Sequence, residues 1–279
     1  MNTVAILGAG ELGASLARLL GDREQARRVI LIDPDEGRAK GKALDLLQCG
    51  PVEGSDTRIE GRVSVEGLTG LDAVVVADPS ELTGPDRVPL RVADFIRGLL
   101  PILGPAPLVF AGADPSPLLA TALERGVARD RVLGSAPIAW SAALRRRLAE
   151  ALGLEPGGVT ATLLGRPPDL VPVGVSVGGM PLTGAGLSAL GRALDALKAR
   201  SFGPLSLATA AAHALAALHG SRPSLLPVVV AGDGAIATRV PLAMVARIAC
   251  GRVQGLEALE LTPRERLALD NAAARERVR

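Results

Sequence analysis

The sequence predicts an α/β fold: a doubly wound parallel sheet followed by a mixed α+β region. Three observations carry that expectation. The chain opens on a short apolar strand, a glycine turn and a helix start, Val4-Ala5-Ile6-Leu7-Gly8-Ala9-Gly10-Glu11-Leu12-Gly13-Ala14. Apolar runs then alternate with helical segments as far as Gly134, the rhythm of parallel strands joined by crossover helices. Past residue 137 the rhythm changes to paired strand-like runs and long Ala/Leu-rich helices. The expected division is therefore 1–137 and 138–279.

The opening stretch has the spacing of a dinucleotide-binding turn. Gly8 allows the tight turn, Gly10 lets backbone approach a pyrophosphate, and Gly13 lets the helix pack close to the strand. The backbone N–H groups of Glu11, Leu12 and Gly13 open the helix and face the phosphates. After the next apolar run, Val29-Ile30-Leu31-Ile32, comes Asp33, twenty positions past Gly13. An acid there is expected to accept from a ribose hydroxyl. The first part is thus expected to be a dinucleotide-binding domain with Gly8, Gly10, Glu11, Leu12, Gly13 and Asp33 at the cofactor.

The remaining elements follow from pattern. A helix is expected over about 36–47 and a third strand near Arg62–Val65. Asp72-Ala73-Val74-Val75-Val76 is a continuous β-branched run, suited to a strand covered on both faces. A Pro/Gly-rich loop spans 78–86, and a helix follows near 90–100. Strands are expected at 107–111 and 131–134, with a helix from Pro115 to Glu124 between them. The second region reads as a helix over 141–152, strands at 159–164 and 170–177, helices over 186–199 and 207–218, and strands at 225–230, 240–248 and 255–261. Thr262, Pro263 and Glu265 make a capping box for a last helix.

Composition narrows the function classes. The 279 residues carry a formal net charge of +2, which argues against a nucleic-acid partner. Apolar residues make up 48%, yet there are one Trp, three Phe and no Tyr, so the core must be aliphatic. Cys49 and Cys250 lack metal-ligand spacing, and no metal site is expected. Two such thiols suit a reducing compartment or no redox role. The first strand begins within three residues, leaving no room for a leader, and no apolar run reaches membrane-spanning length. A cytoplasmic protein with no membrane partner is expected.

Taken in order, the motifs resemble the NAD-dependent lactate/malate dehydrogenase family. The residues that carry the likeness are Gly8 to Gly13, Asp33, and Gly41-Lys42-Ala43-Leu44-Asp45-Leu46. Further along come Asp72–Ala77, Asp114-Pro115, Val132-Leu133-Gly134, and Gly165 with Asp169 and Pro172. Val240-Pro241-Leu242, Gly251, Gly255 and Leu261-Thr262-Pro263-Arg264-Glu265 complete the set. The resemblance implies a Rossmann domain followed by a lactate/malate dehydrogenase-like α+β domain, assembled as a homodimer or homotetramer.

It also marks departures. The family removes a hydroxyl proton with a His oriented by an Asp, and an Arg on the same helix as that Asp grips the substrate carboxylate. By resemblance Trp140 stands for the Asp, Ala143 for the Arg and Pro167 for the His. On the mobile loop Arg87 matches one family arginine and Glu81 replaces the other. Asp78 replaces a glycine near the pyrophosphate, and Asp114 an asparagine. Losing a general base costs about 10²–10⁴ in rate, and losing the Arg contact about 1.5–3 kcal/mol. A carboxylate at Asp78 would repel a phosphate by about 3 kcal/mol at close range. The chain has two histidines, His213 and His219, on different faces of one helix.

Two function classes follow. One is a dinucleotide-binding protein, catalytically degenerate, with a binding, regulatory or scaffolding role. The other is an active NAD-dependent oxidoreductase on a small hydroxy or keto acid, with Asp169 or Asp114 as base and Arg87 as anion clamp. A dinucleotide and a small carboxylate are the expected ligands.

Overall fold

In the computed structural model, the described residues are 1–77, 89–198, 202–232 and 240–277. The first part alternates strictly: β1 (Thr3–Leu7), α1 (Glu11–Asp22), β2 (Arg28–Ile32), α2 (Glu36–Glu53), β3 (Arg58–Arg62), β4 (Ala73–Val76), α3 (Pro89–Leu103), β5 (Leu108–Phe110), α4 (Ser116–Glu124) and β6 (Val132–Gly134). The six strands are parallel in the order β3-β2-β1-β4-β5-β6. The four residues of β4 and the last four of β1 and β2 are buried. That burial on both faces is why these strands read as unbroken apolar runs.

The second part begins with α5 (Ala136–Leu152). It continues with β7 (Val159–Arg166), β8 (Asp169–Val177), β9 (Met180–Pro181), α6 (Ala185–Lys198), α7 (Pro204–His219), β10 (Ser224–Ala231), β11 (Pro241–Ala249), β12 (Arg252–Leu256) and α8 (Pro263–Arg277). These strands are antiparallel and extend the same sheet, β6 joining β10 through Gly134 and Val229. A core of mostly buried Leu, Val, Ile and Ala runs through both parts, as a composition poor in aromatics requires. The capping box at α8 forms: the Glu265 N–H donates to Thr262 Oγ1 at 3.3 Å, and the Thr262 N–H donates to Glu265 Oε2 at 2.8 Å.

Four elements differ from the sequence expectation. The third strand lies at Arg58–Arg62, ahead of the apolar Val63 and Val65, because its register is set residue by residue against β2. Helix α2 continues past 47 and through Pro51, ending where Gly54 takes the left-handed conformation at φ 73°. Helix α5 starts at Ala136, not 141, with Pro137 in its first turn, where a missing N–H costs nothing. The last strand is Arg252–Leu256 rather than 255–261. A tight turn at Cys250 and Gly251, both at positive φ, folds it straight back on β11.

The early start of α5 carries Trp140 into the interior. The indole is fully buried, with its ring 6.2 Å from that of Phe202. Ser141, the next residue, accepts the Leu163 N–H at 2.9 Å and ties α5 to β7. Replacing Trp140 by Ala is expected to cost about 3–5 kcal/mol in chemical denaturation, from lost burial and the cavity left behind. The exposed His213→Ala serves as the control, expected within about 0.5 kcal/mol of the parent.

Candidate dinucleotide site

The glycine turn sits at the carboxyl edge of the parallel sheet, between β1 and α1. Gly8 has φ 102°, a conformation open to glycine and strained for other residues. Its N–H donates to the Ile32 carbonyl at 2.7 Å, tying the turn to the end of β2. A Cβ on Gly13 would lie 1.8 Å from the Gly8 carbonyl oxygen. Only glycine lets α1 rest that close to the turn. A Cβ on Gly10 would meet nothing within 4 Å. Gly10 is the N-cap of α1, and no side chain caps it. The first N–H groups of the helix therefore need an outside acceptor, as a pyrophosphate would supply. Leu12 is buried in the core, so its part in such a site is limited to its backbone N–H, while Glu11 is exposed.

The Asp33 carboxylate is fully buried beside the turn. Oδ2 accepts the Ala9 N–H at 3.0 Å, and Oδ1 accepts the Asp35 N–H at 3.0 Å. The Arg38 guanidinium stands 3.7 Å from Oδ2. Asp33 thus braces the glycine turn from inside. Beside it opens a cleft of about 600 Å³ with apolar walls from Leu7, Ile32, Pro34, Val65, Phe95 and Leu99. Helix N–H groups without a side-chain cap, an open approach at Gly10 and a mainly apolar cleft along the same edge fit a dinucleotide. NAD, once bound, would supply the hydride-carrying nicotinamide.

Along the same edge, past β5, lies a second cluster. Asp114 Oδ1 accepts the Ser116 N–H at 3.3 Å, and Oδ2 takes a bond from Arg166 Nη2 at 3.1 Å. Arg166 is the last residue of β7, and Pro167-Pro168 turns the chain into β8. Asp169 stands opposite Arg166 across that turn. The backbone there is tight, since a Cβ on Gly165 would lie 2.5 Å from the Asp169 carbonyl oxygen. Pro115 packs on Gly134, where a Cβ would lie 2.4 Å from the proline ring. On either side of that contact are Ser116 and Ser135, whose buried hydroxyls have no hydrogen-bond partner among the described residues.

A family model of the lactate/malate dehydrogenase NAD binding domain matches residues 2–90. The malate dehydrogenase of Xanthobacter autotrophicus is 34% identical over 192 residues, 65% of this chain and 60% of that protein. The malate dehydrogenase of Pseudomonas putida is 32% identical over 66% of this chain and 63% of that protein. The chain is similar to lactate/malate dehydrogenases over these stretches, and residues 2–90 match the family's NAD binding domain. Its alignment spans about three fifths of the length of the curated relatives it matches. The fold is shared with the Aeropyrum pernix malate dehydrogenase, at TM-score 0.87 and 23% identity, covering 99% of this chain and 96% of that one. It is shared too with a Cryptosporidium parvum lactate dehydrogenase solved with lactic acid and nicotinamide adenine dinucleotide. There the TM-score is 0.84 at 21% identity, over 99% of this chain and 96% of that one.

Against the dehydrogenase family's pattern the predicted residues separate. Asp114 and Asp169 reach the same end of the β7–β8 hairpin, whereas Arg87, Glu81 and Asp78 lie outside the described residues. Trp140 is core, and Ala143 is half-buried beside it on α5. His213 and His219 are exposed on α7. His219 Nε2 lies 3.2 Å from the Met1 amine, at the edge of the sheet opposite the glycine turn. Among the described residues no three acidic, His or Cys side chains cluster as for a metal, and no helix is long and apolar enough to cross a membrane. Cys49 and Cys250 are both free thiols.

Arg166 escaped the sequence reading. Its one signal was position: the end of an alternating strand, between Gly165 and a Pro-Pro turn. The structure also separates binding from folding at Gly10. Gly10→Ala is expected to leave the denaturation midpoint within about 0.5 kcal/mol of the parent while weakening NADH at least tenfold, read by fluorescence titration.

Proposed function

We propose that this chain is a dinucleotide-binding member of the dehydrogenase family that does not carry hydride transfer to a 2-hydroxy or 2-keto acid. Its role would be binding, regulatory or scaffolding. One observation carries the reading. The chain has two imidazoles, and both lie on the surface of α7, away from the sheet edge where a nicotinamide would reach. A neutral proline at 167 offers no site for a proton. At the helix position where the family holds an acid for its base, Trp140 fills the interior.

The residues present account for binding. The N–H groups at the start of α1 receive the pyrophosphate, and Gly10 gives it room. Leu7, Ile32, Pro34 and Phe95 sandwich a flat base in the apolar cleft. Asp33 supports this from behind by holding the Ala9 N–H, and so the turn. A small carboxylate at the Asp114–Arg166 end, a division of the chain at residue 137, a cytoplasmic setting and a homodimer or homotetramer belong to the same proposal.

The test is a titration with NADH followed by addition of oxaloacetate or pyruvate. Saturable binding with constant nicotinamide absorbance is the expected result. Steady absorbance loss that Asp169→Asn abolishes would replace this reading with that of an active oxidoreductase using a carboxylate base. Failure of NADH to bind would remove both.

A further inference from the structure

The cleft of about 600 Å³ beside the glycine turn is not uniformly apolar. Asp94 is the one charged residue among its described walls, and Ser64 is the one other wall residue with a polar side chain. Helix α3 supplies Asp94, Phe95, Gly98 and Leu99 to the cleft, all from one side of the helix. Phe95 stands out in a chain with one Trp and three Phe. Trp140 and Phe110 are fully buried, and Phe202 packs on Trp140. Phe95 is half-buried at the cleft wall, where its ring can stack on a flat base.

Gly98 adds a second observation. Glycine inside a helix is a poor choice unless something needs the space. Nothing in the protein does, since a Cβ on Gly98 would meet no atom within 4 Å. The space it leaves opens on the cleft, one turn from Asp94. The helix thus gives up stability at a position where only an occupant of the cleft would gain.

The polar wall says what kind of occupant. Arg97 Nη1 donates to Asp94 Oδ1 at 2.6 Å, one turn along α3. Oδ2 has no partner among the described residues. A carboxylate only accepts hydrogen bonds. A base that turns an amino group toward Asp94 gains a charge-assisted bond. A base that turns a carbonyl oxygen there sets two acceptors face to face. The Ser64 hydroxyl accepts the Glu66 N–H at 3.4 Å and can itself donate or accept, so it tolerates either base.

We propose that Asp94 is a specificity-determining residue that makes this cleft select a 6-aminopurine over a 6-oxopurine. The proposal rests on reading the cleft as the base end of a dinucleotide site. Phe95 and Gly98 serve any purine, by stacking and by room. Asp94 reads the exocyclic group, and Arg97 positions Asp94.

The test titrates two pairs into the full chain by calorimetry: AMP with IMP, and NADH with its deaminated hypoxanthine analogue. Within each pair the ligands differ at the purine 6-position. The amino member is expected to bind at least fivefold more tightly, because a site built for a donor rejects the analogue lacking it. Asp94→Asn presents both a donor and an acceptor, and should bring the ratio within twofold of one. Phe95→Leu and Gly98→Leu should each weaken both members of a pair at least fivefold while keeping the ratio. Thermal melts confirm that each variant is folded. Equal binding within either pair, no binding in both pairs, or a preference that survives Asp94→Asn would overturn the proposal. NADH and its analogue binding equally well would overturn it while leaving the dinucleotide reading intact. AMP preferred over IMP with no binding of NADH would do the reverse.

Discussion

The molecule depends on the distance between α1 and the turn that precedes it. Gly13 places the helix against the Gly8 carbonyl, a contact that any Cβ would occupy. That approach points the uncapped end of α1 along the carboxyl edge of the sheet. It also brings Ala9 within reach of Asp33, whose carboxylate closes the turn from beneath. A buried carboxylate is tolerable because its oxygens receive backbone N–H groups and a guanidinium stands near. The turn, the buried acid and the cleft beside Phe95 are consequences of one packing distance.

Much of this was legible in the sequence because it is local. The glycine spacing, the runs at β1, β2 and β4, and the capping box at Thr262 each involve residues a few positions apart. Their physics is settled by the strand, turn or helix end that holds them. The errors fall where a remote partner decides. The extent of β3 is fixed by its ladder with β2, not by where Val63 and Val65 sit. The start of α5 is fixed by its packing on β7, which Ser141 fastens to Leu163. Arg166 and Asp114 are separated by 52 positions and meet only once the two parts share an edge.

Trp140 shows how a large apolar side chain fills the interior at α5. An ion pair inside a protein must recover the cost of leaving water, and an apolar side chain of similar bulk does as well or better. An indole at that point in α5 packs among α5, α7 and Phe202. Proline at 167 and 168 is likewise compatible with the hairpin, since the ladder between β7 and β8 resumes on both sides of the turn. Trp140 and the two prolines are compatible with the sheet, and a shared fold leaves the chemistry of a site open.

The same logic explains why a charge survives at Arg166. The guanidinium is mostly covered, so leaving it without a counter-charge would be costly. Asp114, from the loop after β5, supplies that charge from the other part of the chain and becomes a strut between the two.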